Sequence, residues 1–273
     1  FIYFFIYVCY NILKKRGNKM NKKKRTMIFV ICLFLLVTVG IVYIFSELYT
    51  EHDIPITTIT DAYKFKNEYE SVNNNDLGNG KKVRELTIAD NNPFVYKTAE
   101  ELVKMIEEDK TFTVYFGFST CPWCRSVMTS LIDSSLEKGV KKVYYVDIKE
   151  IRDTYELNDS NEPVRTKEGT DAYYRLLELL NPVLTDYNPL KYETKKGKTK
   201  EVKIDEKRIY APNVVVVKNG EAINMESGIV KELTDPYMEI DEGIKCKIKE
   251  QFNCMFDKLN TDTNTCSIDE KTC

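Results

Sequence analysis

Histidine is nearly absent. The chain of 273 residues carries a single one, His52. Eight cysteines are present, but only one pair, Cys121 and Cys124, has the Cys-x-x-Cys spacing. A structural zinc site needs two further ligands at comparable spacing, and the sequence has no second such pair and no neighbouring histidine to supply them. Acidic residues are missing from the first 45 positions, which hold eight Lys or Arg. The whole chain has 40 basic and 42 acidic residues, so positions beyond 45 retain 32 basic against 42 acidic, a net charge of about −10. An acidic body excludes the basic footprint that nucleic-acid binding requires.

Charge of either sign is also missing from Met27 to Phe45, which is nearly all apolar. As a helix rising 1.5 Å per residue this stretch spans about 28 Å, the thickness of a bilayer's hydrocarbon. The basic run Lys22-Lys23-Lys24-Arg25 stands just before it. Positive flanks stay in the cytoplasm, so the expected topology is a single-pass cell-membrane protein, N-terminus inside and everything after about residue 46 outside. No Ala-x-Ala-like cleavage site follows the span, which favours an uncleaved signal anchor over a cleaved signal peptide. The stretch Phe1 to Leu13 is short for a span. Met20 reads as a better translation start, and residues 1–19 as an upstream extension; a second hydrophobic segment is the alternative. The resulting division is a cytoplasmic leader over 1–26, the anchor over 27–45, an extracytoplasmic linker over 46–82, a folded domain over 83–259 and a cysteine-containing tail over 260–273. Cys9 and Cys32 fall in apolar segments. Six cysteines, an even number, fall on the oxidising side, where disulfides persist.

Within the outer part, Asp61 to Glu70 suits a short helix and residues 73–80 a loop. Val83 to Ile88 alternates weakly, as a first strand. Thr98 followed by Glu101 forms a capping box, after which Leu102, Met105 and Ile106 recur at helical spacing. A strand over 111–117, a helix over 125–136 with Val127, Met128, Leu131 and Ile132 on one face, and a strand over 143–148 complete an alternating α/β rhythm. The interval 149–208 reads as an insertion beside the site, with a helix over 171–180 and a hairpin around Gly197. Val214 to Val217 is a β-branched strand, Asn219-Gly220 its hairpin turn, and Glu221 to Met225 its return. Tyr237 to Leu259 suits a terminal helix.

Cys121-Pro122-Trp123-Cys124 sits where the strand over 111–117 feeds a helix. Unsatisfied N–H groups and the positive end of the helix dipole both favour a thiolate there. A redox dithiol needs one attackable sulfur at a helix start and a second one turn in to resolve it, which this spacing supplies. A plain structural disulfide stays open.

These features together resemble the thioredoxin-like superfamily: strand–Cys-Pro-Trp-Cys–helix, Ala211-Pro212 ahead of a β-branched strand, the Lys218-Asn219-Gly220-Glu221 hairpin, and Gly228 eight residues after Gly220. Within it, the run Tyr115 to Cys124 on an anchored domain resembles the bacteriocin-transport-accessory-like thioredoxins of Gram-positive-type bacteria. The resemblance implies an α/β fold with a central mixed sheet flanked by helices, interrupted by the insertion before the cis-proline strand. It implies that Cys121 attacks and Cys124 resolves, that Pro212 is a cis-proline facing the pair, that the Ala211 backbone pairs with an extended substrate, and that Trp123 shapes the rim. The sequence departs from the pattern in one place. Thioredoxins usually carry a buried carboxylate six residues before the first cysteine, and here that residue is Tyr115. The proton path is therefore in doubt.

On a helix Cys246 and Cys254 stand about 12 Å apart, too far to bond each other, and within about 80° on its surface. A tail doubling back antiparallel would pair Cys254 with Cys266 and Cys246 with Cys273. The expected function is a membrane-anchored, extracytoplasmic thiol–disulfide oxidoreductase acting on protein or peptide thiols and disulfides with a redox partner, without metal, organic cofactor or nucleic acid. The alternative is a non-catalytic accessory of the same fold that binds a secreted peptide or a transporter. Oxidase, reductase and isomerase directions are all open, because potential depends on the relative stability of the two forms.

Overall fold

The computed structural model describes residues 21–23, 26–27, 30–31, 34, 37–38, 56–78 and 80–260. The chain divides into two units, residues 1–56 and 57–273. In the first, the described residues of 22–38 are helical, and Met27, Val30, Ile31, Phe34 and Val37 expose apolar side chains. Most of the apolar run 27–45 lies outside the described residues. Among the described residues no helix is long and apolar enough to cross a membrane.

The second unit is a mixed α/β structure. Helix α1 covers Ile56–Glu70, strand β1 Phe94–Tyr96, helix α2 Ala99–Glu107, strand β2 Phe112–Gly117, helix α3 Pro122–Glu137 and strand β3 Val143–Asp147. Two short strands follow, β4 (Thr154–Leu157) and β5 (Pro163–Lys167), then helix α4 (Asp171–Leu179). The short strands β6 (Thr185–Asp186), β7 (Leu190–Glu193), β8 (Thr199–Val202) and β9 (Lys207–Arg208) lead to β10 (Asn213–Lys218), β11 (Glu221–Glu226) and α5 (Glu242–Asn260).

Five strands form the main sheet in the order β1-β3-β2-β10-β11. β1, β3 and β2 run parallel, while β10 is antiparallel to both β2 and β11. Successive side chains on a strand point to opposite faces. On β2, Tyr115 accordingly joins one core and Val114 and Phe116 the other; on β10, Val214 and Val216 join the first, Val215 and Val217 the second. Both faces of both strands are buried, which is why the sequence there reads as unbroken apolar runs. α3 and α5 cover the first face, with Val127, Leu131, Phe252 and Phe256 fully buried. α2 and α4 cover the second, through Leu102, Ile106, Tyr173 and Leu176. Each such burial removes an apolar side chain from water, worth about 1.5–3 kcal/mol.

Local signals hold where the chemistry is local. The Thr98 hydroxyl accepts the Glu101 N–H, and the Glu101 carboxylate accepts the Thr98 N–H, the reciprocal capping box. Asn219 and Gly220 both have positive φ, +50° and +76°, as the tight turn between β10 and β11 requires. A Cβ at Gly220 would lie 2.6 Å from the Ile106 carbonyl oxygen, so the turn also needs glycine to nestle against the end of α2.

Several boundaries differ from the sequence reading, among them that of the terminal helix, which starts at Glu242 and not at Tyr237. Val83–Ile88 forms no strand, although Val83, Leu86 and Ile88 are buried; the first strand is Phe94–Tyr96. Its alternation marks an extended segment pinned by Asn73, whose amide bonds the Leu86 backbone on both sides. Part of the stretch taken as linker over 46–82 belongs to the core, since α1 buries Phe65 and Tyr69 completely. The interval 149–208 is not wholly an insertion, because α4 buries Tyr173 and Leu176 against the sheet and α2. The β4–β5 and β7–β8 hairpins and the β6–β9 pair form two-stranded sheets apart from the main one.

Candidate active site

β2, the middle strand of the sheet, ends at Gly117, and residues 118–121 turn from its C-terminal end into α3. Cys121 is the N-cap of that helix and Pro122 its first residue, a position where the missing N–H costs nothing. The Cys121 Sγ takes the capping role, accepting the Cys124 N–H at 3.3 Å. The same sulfur lies 3.3 Å from the Ala211 carbonyl oxygen, to which its S–H donates. The Ala211–Pro212 bond is cis. The structure thus brings together Cys121, Cys124, Ala211 and Pro212, with Trp123 and Phe118 half-buried around them. Cys121 and Cys124 are both free thiols.

The two sulfurs are not equivalent. The Cys121 thiol is held below its usual range by the hydrogen bond from the Cys124 side chain, and further by the Cys124 and Trp123 N–H groups and the positive charge of Arg152, against the opposing effect of burial. Burial pushes the Cys124 thiol well above its usual range, and the neighbouring Cys121 sulfur adds to this. One sulfur therefore carries thiolate character at the helix start and the other stays a thiol, fully enclosed.

Behind Cys124 stands Tyr115, the residue in the place of the expected carboxylate. Its hydroxyl acts on the Cys124 thiol, partly offsetting the upward push of burial, and lies 2.8 Å from the Tyr69 hydroxyl. Both phenols are completely buried and desolvation drives both well above the ordinary tyrosine range, so they remain neutral. A neutral hydroxyl can accept from a Cys124 thiol and donate to a Cys124 thiolate. The ring reaches this position by lying over Gly117, where a Cβ would stand 2.1 Å from the Tyr115 hydroxyl oxygen.

Arg125 is a functional candidate that the sequence reading did not single out. It is 1% exposed, yet no carboxylate pairs with it among the described residues. Its guanidinium instead donates to the carbonyls of Arg84 (2.7 Å), Tyr69 (2.9 Å) and Ser119 (2.9 Å), and to the Asn73 side-chain oxygen. Ser119 lies in the turn before Cys121, and the other three partners lie in 69–84. Arg125 therefore ties the active-site turn and helix to the segment preceding β1. Position 125, next to the second cysteine, was the available signal; the acceptors are backbone atoms that no sequence pattern displays.

Cys246 and Cys254 both lie on α5. Cys266 and Cys273, their expected partners, lie outside the described residues, as do His52, Cys9 and Cys32. Among the described residues no group of three or more His, Cys, Asp or Glu is placed to hold a metal ion. No protein-family model and no curated protein matches the chain.

Proposed function

We propose that this chain is a thiol–disulfide oxidoreductase with a thioredoxin-like fold, anchored to the cell membrane by residues 27–45 with its catalytic domain outside. Support for the fold comes from the strand order β1-β3-β2-β10-β11 and from the dithiol at the β2–α3 corner. The observation that carries the function is the position of the Cys121 sulfur, 3.3 Å from both the Cys124 N–H nitrogen and the Ala211 carbonyl oxygen. A nucleophile held by a helix start therefore faces a backbone group that an extended substrate can use.

In the reducing direction, the Cys121 thiolate attacks one sulfur of a substrate disulfide. That bond breaks, a mixed disulfide forms at Cys121, and the displaced substrate thiolate takes up a proton. Cys124 then loses its proton and attacks the Cys121 sulfur. The 121–124 disulfide forms, and the second substrate sulfur leaves as a thiolate. Two electrons pass to the substrate, and the reverse sequence oxidises a dithiol. Tyr115 is suited to steady the Cys124 thiolate as it appears, by donating its hydroxyl hydrogen.

A Cys124→Ala chain expressed in cells tests this reading. It should accumulate proteins covalently held through Cys121, released by reductant. A Cys121→Ala, Cys124→Ala double variant should hold none. Equal recovery from the two variants would defeat the proposal.

A further inference from the structure

One charge near the loop after β3 is left without an ion pair. Arg152, Arg165 and Arg208 share this region with Asp153, Glu168 and Glu206, but the pairs go to the other two arginines. Arg165 is committed to Glu206 at 2.7 Å, and Arg208 to Asp153 at 3.6 Å. The other nearby carboxylates are also engaged: Glu150 pairs with Lys167 at 3.2 Å, and Asp147 accepts the Lys149 N–H at 2.8 Å. Arg152 has no ion-pair partner among the described residues. It is half-buried, with its guanidinium 5.4 Å from the centre of the Phe118 ring. Phe118 belongs to the active-site turn, its carbonyl accepting the Cys121 N–H at 3.1 Å. The charge of Arg152 acts on Cys121 and also on Tyr210, the neighbour of Ala211. Its stacking on Phe118, in the turn that leads into Cys121, places this charge at the margin of the site.

A partly desolvated guanidinium without an anion is costly, and here Arg208 repels it further. A carboxylate delivered by the substrate would relieve both effects with a planar, two-pronged acceptor. On an extended segment docked at Ala211, side chains two residues from the reacting cysteine lie on its own face about 7 Å away. Resting on the oxidoreductase reading above, we infer that Arg152 selects substrate segments carrying an Asp or Glu close to the reacting cysteine.

The chemistry is the balanced exchange already described; only the rate of the first step depends on the flanking charge. The test uses the full chain in detergent, reduced, with three disulfide probes. Two are synthetic disulfide-linked peptides with Glu or Lys flanking the cysteine, and the third is the small neutral hydroxyethyl disulfide. Attack on the Glu peptide should exceed attack on the Lys peptide about fivefold or more, the factor that corresponds to the roughly 1 kcal/mol between two unit charges about 4 Å apart in water. The ratio should shrink with added salt. Arg152→Gln should bring it near one and Arg152→Glu should invert it, each rate being normalised to the neutral probe so that a change in Cys121 reactivity divides out. A wild-type ratio near one, or a ratio unchanged in both variants while the neutral probe still reacts, overturns the assignment of Arg152 alone. Failure of all three probes to react overturns the oxidoreductase reading and this inference with it.

Discussion

The Tyr115 hydroxyl lies 2.8 Å from the Tyr69 hydroxyl, and neither ring touches solvent. Tyr115 comes from the central strand and Tyr69 from α1, a helix laid against the sheet. Together they put a neutral hydrogen-bonded pair where a carboxylate would carry charge next to the resolving thiol. In the proposed exchange this hydroxyl is the group suited to donate to the Cys124 thiolate.

Tyr115→Phe removes that donor and keeps the ring. Resolution of a mixed disulfide at Cys121 should slow about fivefold to tenfold, corresponding to the roughly 1–1.5 kcal/mol of one hydrogen bond. Attack by Cys121 should change little. Rapid-quench measurement of the two steps separates them, and equal slowing of both would contradict the assigned role.

Gly117→Ala places a methyl where the Tyr115 hydroxyl sits. The tyrosine must move within a filled core, at a cost of about 1–3 kcal/mol. Urea unfolding should show an earlier midpoint with an unchanged slope. The double variant Gly117→Ala, Tyr115→Phe should recover little of the loss, because the ring carbons Cζ and Cε2 still lie 2.3 and 2.8 Å from the new methyl.

Arg125→Met should destabilise the fold by about 3 kcal/mol or more, since the buried acceptors of Arg84, Tyr69, Ser119 and Asn73 lose a charged donor. Arg125→Lys should not restore it, because a single ammonium cannot reproduce the planar fork that reaches four oxygens. Denaturant unfolding of the three proteins decides this.

The thiols make stability depend on pH in the reduced protein only. Cys121 has a folded pKa below its unfolded value, so its contribution is present above the ordinary thiol range near 8.5 and is lost as pH falls through the lowered folded value. Stability of the reduced form should therefore rise with pH within that window. Cys124 has the opposite sign: its folded pKa is raised, so its contribution is complete below the ordinary range and declines as pH climbs beyond it. The gain should thus stop near the ordinary thiol range and reverse above it. Thermal unfolding across pH of reduced wild type against Cys121→Ser checks the rising limb, which the variant should lack.

Much of this molecule is legible in its sequence, where the determinants are local. The capping box at Thr98, the Asn219-Gly220 turn and the Cys-Pro-Trp-Cys helix start each need only neighbours within a few residues. The alternating faces of β2 and β10 are hidden for a physical reason, because strands buried on both sides show no alternation to read. Where the determinants are distant, the reading falls short. Asp61 to Glu70 is legible as a helix, but nothing local shows that its Phe65 and Tyr69 complete the first core. The role of Tyr115 as a bonded hydroxyl, and not merely a missing carboxylate, depends on Tyr69, which is 46 residues away. Arg125 binds carbonyls whose directions only the folded chain sets, and Arg152 is distinguished by which of its neighbours are already paired.

The central claim is that Cys121 and Cys124 form a reversible two-electron couple. Its most direct test equilibrates the full chain in a series of glutathione redox buffers, quenches with acid, and counts the 121–124 disulfide by peptide mass. The account predicts one sigmoidal transition, identical whether approached from the reduced or the oxidised protein. A pair that stays in its starting state across the whole series, in protein that remains folded, would contradict it.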